Sequence, residues 1–336
     1  MVLDLNQIAA QLRRFQLPNG LVLQTPNGIG DPWNHVEVLM AFTVAGDFEA
    51  AQSGYRWLRD HQLGDGSWFH YYRTDCVHSS RIDFNVIGYL ATGLFQYWRI
   101  TADRAFIDEM WPTLERALRC IEAHVDDAGY VPWSIDSRGR TESFSLLTGS
   151  SSLLHSLLCA NKLAEELGQK AAIAPEKLSG LRHRVKEHQN RFANKREFAM
   201  DWYYPSLCGA VSLTREYRQK FEDLFLVQDF GVRCVSNSEW VTTAETAEYA
   251  LTLAGVGELA SARELLSGLE RFRAPEGLFY TGIGHESGRT FPLHEVSSYS
   301  AAAVVLAMDA IEKISPAHDI LTSHARELGE FSCSLC

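Results

Sequence analysis

The stretch that decides the fold is residues 31–72, DPWNHVEVLMAFTVAGDFEAAQSGYRWLRDHQLGDGSWFHYY. It contains a polar and aromatic leading loop, an apolar helix, a tight turn at Gly46-Asp47, an amphipathic helix and a second aromatic loop at Gly64–Trp68. Apolar residues recur at helical spacing in both halves, and Gly46 accepts the positive φ that ends the first helix. The stretch therefore predicts a helical hairpin whose reactive side chains lie at one end.

The same plan returns along the chain with a period on the order of 50 residues. In each pair the first helix is apolar almost all round and the second is amphipathic, so the first should be buried and the second should face water on one side. About twelve helices in this alternation predict an all-α fold, an (α/α)6 barrel (toroid) of about six helical hairpins. An open superhelical solenoid is the alternative, but the terminal helices lack the polar character of solenoid caps.

The expected organisation is a single domain with two short extensions. Residues 1–30 should form an N-terminal helix and an extended lead-in to the same domain, 31–316 the barrel, and 317–336 a C-terminal tail. Most of the seven cysteines lie in apolar segments that are predicted to be helical, which favours reduced thiols in a cytoplasmic protein. Cys333 and Cys336 stand in the polar tail, where a frayed terminus is expected rather than a redox site.

Charge and hydropathy narrow the range of partners. A net charge of -11 argues against nucleic acid or an anionic membrane as partner. No apolar run is long enough to span a bilayer, and residues 1–16 do not follow the pattern of a signal peptide. No His-x-x-x-His spacing supports a metal site. We therefore predict a small-molecule substrate, no cofactor, no metal and no membrane insertion, and the oligomeric state stays open.

The chemistry-bearing residues are distributed unequally between the two kinds of connection. The inner-to-outer turns carry only turn residues, whereas the outer-to-inner loops carry aromatic, acidic and amide side chains. In a toroid all outer-to-inner loops open on one rim, so we expect a funnel lined by these side chains. Some of the aromatic residues could instead pack between helices. The candidate substrate-binding residues are Trp33, His35, Trp68, Tyr71, Asp83, Asn85, Trp133, Trp202, Tyr203, Arg233, Trp240, Tyr280, His294 and Tyr299.

Carboxylates are the candidate catalytic groups. Glycoside cleavage needs one protonated and one ionised carboxyl group, about 5–5.5 Å apart for retention of configuration or about 6.5–9.5 Å for inversion. Glu245 and Glu37 lie within apolar segments that are predicted to be helical. Burial there would raise the pKa of the carboxyl group and make it a proton donor. The alternative is that each carboxylate is buried in an ion pair. Helix capping is the alternative for Asp31 and Asp83. The candidate catalytic residues are Glu37, Asp136, Asp201, Glu245 and Glu286.

Parts of this sequence resemble two families of α/α-toroid proteins. Gln62 with Asp65-Gly66-Ser67-Trp68 is similar to the repeats of the terpenoid cyclase and prenyltransferase superfamily. Asp83–Val86, Thr101–Phe106 and Trp111-Pro112 resemble the six-hairpin glycosidases, notably the glucoamylase-like group.

Each resemblance has departures. The Asp-x-Asp-Asp and Asp-Asp-x-x-Asp motifs of the terpenoid enzymes are absent, and Asp229 and Cys234 are too far apart for the zinc set of protein prenyltransferases. The glycosidase resemblance implies a catalytic acid near Asp136 and Glu142, although the Trp-Glu pair of that family is missing. It implies a second carboxylate at Glu286 by position.

The leading functional hypothesis is an enzyme that uses carboxylate general acid/base chemistry on a hydroxyl-rich, carbohydrate-like substrate, in the manner of a glycoside hydrolase. One alternative is a prenyltransferase- or terpenoid cyclase-like enzyme acting on an isoprenoid in an aromatic-lined cavity. A further alternative is a non-catalytic, ligand-binding α/α barrel.

Overall fold

The computed structural model describes residues 4–170 and 173–322, and almost all of the regular structure there is helical. The helices in this part of the chain are α1 (Leu5–Leu12), α2 (Pro32–Val44), α3 (Phe48–Asp60), α4 (Phe84–Ile87), α5 (Tyr89–Thr101), α6 (Arg104–His124), α7 (Leu147–Leu167), α8 (Pro175–Glu187), α9 (Met200–Leu207), α10 (Arg215–Phe225), α11 (Thr243–Gly255), α12 (Leu259–Gly268) and α13 (Ser298–Glu312).

The inner helices form a closed ring. Helix α2 packs on α5, α5 on α7, α7 on α9, α9 on α11, α11 on α13, and α13 returns to α2. Helices α3, α6, α8, α10 and α12 lie outside this ring, each beside the inner helix it follows in the chain. Helix α1 contacts both α13 and α2 and takes the remaining outer position. The fold is the predicted all-α, (α/α)6 toroid, and the N-terminal helix is part of its outer layer.

The first hairpin shows why the sequence folds this way. Asp31 caps α2, where its carboxylate accepts hydrogen bonds from the backbone N–H groups of Trp33 and Asn34, both at 3.0 Å. Gly46 ends the helix with a φ of 77°, and Asp47 caps α3. Helix α2 is buried on nearly every side, whereas α3 buries only one face, as their sequence patterns predict.

All of the described strands lie in outer-to-inner loops. They are β1 (Tyr71–Tyr72), β2 (Val77–Ser79), β3 (Ile82–Asp83), β4 (Ser134–Ile135), β5 (Leu226–Val227), β6 (Gly231–Val232), β7 (Trp240–Thr242) and β8 (Gly282–Gly284). They pair in sequence order as antiparallel two-stranded ribbons, β1 with β2, β3 with β4, β5 with β6 and β7 with β8. These ribbons lie at the end of the barrel where the inner helices begin. We call this end the mouth.

The opposite end of the barrel is covered by the segment after α13. Ala317, Ile320 and Leu321 are buried, and His155 of α7 donates a hydrogen bond from Nε2 to the carbonyl oxygen of Ile320 at 2.9 Å. Packing therefore continues into the first residues of the predicted tail. Its remaining part, residues 323–336 with Cys333 and Cys336, lies outside the described residues. Within the described ranges, no helix combines the length and the apolar character that crossing a membrane requires.

Candidate active site

A cavity of about 400 Å³ opens at the mouth, walled by the first turns of the inner helices. Every position of the inner ring contributes residues to this wall. At the position of α5, these residues come from the short helix α4, which directly precedes α5 in the chain. The chemistry-bearing residues of the wall are Asp31, Trp33, Asn34, Glu37, His70, Tyr71, Asp83, Asn85, Thr148, Cys234, Trp240, Thr242, Glu245, Glu248, Thr281 and Tyr299. Because the N-terminal ends of helices carry partial positive charge, this geometry favours carboxylates in the cavity.

Two of the carboxylates are helix caps as well as wall residues. Asp31 accepts hydrogen bonds from Gln24 Nε2 at 2.6 Å and Asn34 Nδ2 at 2.8 Å in addition to its two capping bonds. Asp83 caps α4 by accepting from the backbone N–H of Asn85 at 2.9 Å and also accepts from Trp133 Nε1 at 2.6 Å. Their oxygens are largely occupied, so both carboxylates shape the site from fixed positions.

Glu37 lies deeper in the cavity, at the sixth residue of α2. Its side chain is nearly buried, and the Tyr89 hydroxyl donates to its Oε1 across a long 3.5 Å. Burial, together with the negative charge of Asp31, raises the pKa of Glu37 to about 8. Glu37 therefore carries a proton at neutral pH.

Glu248 occupies the corresponding sixth position of α11. It accepts a hydrogen bond from the Tyr203 hydroxyl, while burial and the nearby Glu37 hold its pKa well above the usual range. Sequence reasoning missed this residue. A signal was available, because Glu248 follows Glu245 by three residues and so shares its face of the helix.

Glu245 is half-buried and lies nearer the opening than Glu248. The Thr242 hydroxyl donates to Glu245 Oε2, and the Cys234 thiol lies beside the same carboxylate. Burial first, and then the charge of Glu245, raises the pKa of Tyr299 on the adjoining wall. Glu245 is thus the most accessible of the glutamates in the cavity.

Eight of the predicted residues meet at this cavity: Glu37, Glu245, Trp33, Tyr71, Asp83, Asn85, Trp240 and Tyr299. Asp201 stands directly behind the wall, where it accepts a hydrogen bond from Thr148 Oγ1 at 3.0 Å, and burial raises its pKa. It is placed to orient Thr148 rather than to reach a ligand.

Three predicted aromatic residues form a layer behind the wall. Trp133 donates a hydrogen bond from Nε1 to Asp83, and the Arg81 guanidinium lies 4.7 Å from the centroid of the Trp133 ring. Tyr203 donates to Glu248. Trp202 donates from Nε1 to the Arg196 carbonyl at 2.9 Å. Their hydrogen bonds hold the wall or the loops beside it, and none of the three lines the cavity.

His35 and Trp68 belong to the core and do not face the cavity, contrary to the prediction. His35 accepts from the backbone N–H of Val22 at Nδ1 and donates from Nε2 to the Gly54 carbonyl, both at 3.0 Å. Burial lowers its pKa to about 4, so the ring is neutral. Trp68 donates to the Leu58 carbonyl at 2.7 Å. Both side chains point towards the outer layer, a direction that spacing along the chain does not reveal.

Asp136 and Glu286 lie on exposed turns of the mouth rather than in the cavity. The Asp136 carboxylate accepts from the backbone N–H of Arg140, which together with the Arg140 side chain lowers its pKa to about 2. Glu286 has a side chain that is 77% exposed, in the turn after β8. The Asp136 side chain is thus occupied by hydrogen bonds within its own turn, whereas that of Glu286 points into water.

His294, Arg233 and Tyr280 are also outside the cavity. His294 is exposed and has a φ of 56°. Arg233 donates to the Leu224 carbonyl at 3.4 Å. Tyr280 is half-buried, and its backbone carbonyl accepts from Thr243 Oγ1 at 2.6 Å. Over the described ranges, no cluster of three or more His, Cys, Asp or Glu side chains could hold a metal ion, and the absence of a metal stays a prediction.

Solved structures with the same fold act on sugars. A glycosidase variant in complex with glucose superposes with a TM-score of 0.68 at 13% identity, covering 93% of this chain and 99% of that one. A D-mannose isomerase gives 0.68 at 12% identity over 92% and 96%. An alpha-amylase from Clostridium perfringens gives 0.64 at 11% over 93% and 97%. At these identities the likeness establishes a shared toroid fold.

Sequence similarity identifies the family to which the chain belongs. No model of a protein family matches the chain. The chain is 34% identical over 334 residues to the MMP endo-(1,4)-3-O-methyl-alpha-D-mannosidase of Mycolicibacterium hassiacum, covering 98% of this chain and 92% of the relative. The chain belongs to the family of that mannosidase. It is a glycoside hydrolase-like enzyme, and this function is favoured over the isoprenoid and non-catalytic alternatives.

Proposed function

We propose that this enzyme cleaves internal (1,4) bonds in chains of 3-O-methyl-alpha-D-mannose, the substrate and bond named for its relative. Similarity over nearly the whole of both chains supports the transfer. A cavity open at the mouth of the barrel suits an enzyme whose substrate extends past the cleaved bond on both sides.

The observation that carries the proposal is the presence of two carboxyl groups of different character in one cavity. Glu37 is nearly buried and protonated at neutral pH, with its pKa raised to about 8. Glu245 is half-buried at the start of α11, nearer the opening, and its Oε2 accepts a hydrogen bond from the Thr242 hydroxyl. Glycoside hydrolysis uses this combination of proton donor and carboxylate.

In the proposed mechanism Glu37 donates its proton to the glycosidic oxygen of the leaving sugar. The bond between that oxygen and the anomeric carbon breaks, the leaving sugar departs as an alcohol, and the Glu245 carboxylate stabilises the positive charge that develops at the anomeric carbon. Water then supplies the hydroxyl group at this carbon, and the proton that the water releases replaces the one given by Glu37. Glu248 accepts a hydrogen bond from Tyr203 behind this pair, and burial and the charge of Glu37 raise its pKa. Trp33, Tyr71 and Trp240 offer aromatic surface to the sugar faces.

Turnover of 3-O-methylmannose oligosaccharides by Glu37→Gln and Glu245→Gln tests the roles. Each variant should lose about 10²–10⁴-fold in kcat, the usual contribution of a positioned acid or base. Glu286→Gln is the matched control, because its carboxylate is exposed outside the cavity and its turnover should equal the wild type. Mass spectrometry of the products reports whether internal bonds are cut. Wild-type kcat in either cavity variant would overturn the assignment of that residue, and an inactive wild type would overturn the substrate.

A further inference from the structure

The loop between β8 and α13 presents two large apolar side chains to solvent beside the mouth. Leu293 is 72% exposed and Phe291 is 55% exposed, the two highest values for large hydrophobic residues in the described part of the chain. Single exposed apolar residues are common on protein surfaces, but two of them within three residues of one loop make an exposed apolar patch, which is typical of a binding surface.

Phe291 continues the apolar surface of the cavity through Trp240. The two rings meet edge to face, with centroids 4.6 Å apart and an interplanar angle of 78°. Trp240 itself lines the cavity. Its indole lies against Gly282, where a Cβ would fall 1.9 Å from Trp240 Nε1. Because Nε1 is buried and has no hydrogen-bond partner among the described residues, Trp240 offers a ligand its ring carbons rather than its N–H.

The loop that carries Phe291 is fixed to the cavity wall by hydrogen bonds. The backbone N–H of Phe291 donates to the Gly282 carbonyl at 2.9 Å, and the N–H of His294 donates to Thr290 Oγ1 at 2.7 Å. Thr281, a wall residue, donates from Oγ1 to Glu295 Oε1 at 2.9 Å. The exposed position of the apolar pair is therefore part of the architecture of the mouth.

We propose that Trp240, Phe291 and Leu293 form an outer subsite that binds O-methylated sugar units of the substrate chain, beyond the bond that is cleaved. This inference rests on the proposed function. A methyl ether presents an apolar CH₃ and lacks the hydroxyl donor, so contact with these side chains removes apolar surface from water on both partners. An unmethylated hydroxyl pressed against the same surface would lose its water without gaining a hydrogen bond. The subsite therefore selects methylated over unmethylated chains.

The test compares the wild type with the double variant Phe291→Ser/Leu293→Ser on long α-1,4-linked mannose oligosaccharides, with and without 3-O-methyl groups. For the methylated chain we expect kcat/KM to fall by about tenfold or more, mainly through KM, as for loss of a methyl-sized apolar contact. For the unmethylated chain we expect little change. Leu224→Ser is the control, because Leu224 is also exposed (41%) and does not line the cavity.

A binding measurement tests the outer subsite separately from the proposed function. Calorimetry of the methylated chain on Glu245→Gln, with and without the two serine substitutions, measures the subsite without turnover. A Kd weakened about tenfold by the serines supports the subsite even if the wild type fails to cleave this substrate. An active wild type combined with unchanged Kd and KM in the double variant would overturn the subsite alone, as would equal losses on both chains.

Discussion

At the scale of single residues, the cavity floor is defined by a pair of neighbouring buried carboxyl groups, Glu37 and Glu248. Burial removes the water that would stabilise either anion, and nearby charge adds to this effect, from Asp31 on Glu37 and from Glu37 on Glu248. The Tyr203 hydroxyl stabilises charge on Glu248 only in part. A proton is therefore retained at this floor at neutral pH, which is the condition that an acid catalyst needs.

The raised pKa of Glu37 predicts how stability depends on pH. Between 4.5, the ordinary value, and about 8, the folded protein holds a proton that the unfolded chain has released. The contribution of Glu37 to the free energy of unfolding is therefore fully present below pH 4.5 and is lost as pH rises towards 8. Glu37→Gln, which cannot ionise, should lose less stability than the wild type between pH 5 and 9, by up to about 4 kcal/mol, since each pH unit below the folded-state pKa of about 8 contributes about 1.4 kcal/mol.

Urea unfolding at several pH values measures this difference. Glu286→Gln should follow the wild-type curve, because its carboxylate is exposed. Parallel curves for Glu37→Gln and the wild type would contradict a raised pKa at Glu37.

At the scale of elements, the wall of the cavity depends on a close approach between α7 and α4. A Cβ added at Gly149 of α7 would lie 2.1 Å from Asn85 Cγ of α4. Asn85 Nδ2 in turn donates to Asp83 Oδ1 at 2.8 Å. One glycine therefore permits the contact that keeps both wall residues in place.

Gly149→Ala should disturb the site as well as the fold. The clash should cost about 1–3 kcal/mol of stability. Displacement of Asn85, and of Asp83 with it, should lower kcat/KM by about tenfold or more, since small misplacements in a site are costly. Thermal unfolding and kinetics check this. Gly255→Ala is the control, because its Cβ would meet Thr322 at an ordinary 3.5 Å; equal effects of the two substitutions would contradict the argument.

At the scale of the whole molecule, the ring closes only because its first and last parts meet. Helix α13 packs on α2, and α1 covers their junction from outside. Ile8 of α1 is 1% exposed within the same continuous core as the inner helices. The N-terminal helix should therefore unfold together with the barrel.

Ile8→Ala tests this cooperativity. We expect a loss of about 2–4 kcal/mol, the cost of a cavity in a well-packed core, within a single unfolding transition. Asn6→Ala, on the exposed side of the same helix, should change stability by less than about 0.5 kcal/mol. A small loss for Ile8→Ala, or a separate early transition, would show that α1 is only loosely attached.

The amino-acid sequence by itself determined the helical hairpins, their alternation of inner and outer helices, and the concentration of chemistry at one rim. These follow from local properties, namely apolar period, turn residues and caps, which act within a few residues of one another. Glu37, Glu245 and Trp240 could be selected for this reason.

Only the tertiary structure decided which rim residues face the cavity. A helix that is apolar all round carries no periodic signal for the side that turns to the axis, so His35 could not be separated from Glu37. Glu248 could have been found only by extending the face of Glu245 by three residues. Loop sequences likewise place Glu286 and Asp136 at the mouth without fixing the direction of their side chains. That direction depends on hydrogen bonds and packing between segments distant in the chain, and it exists only once the ring has closed.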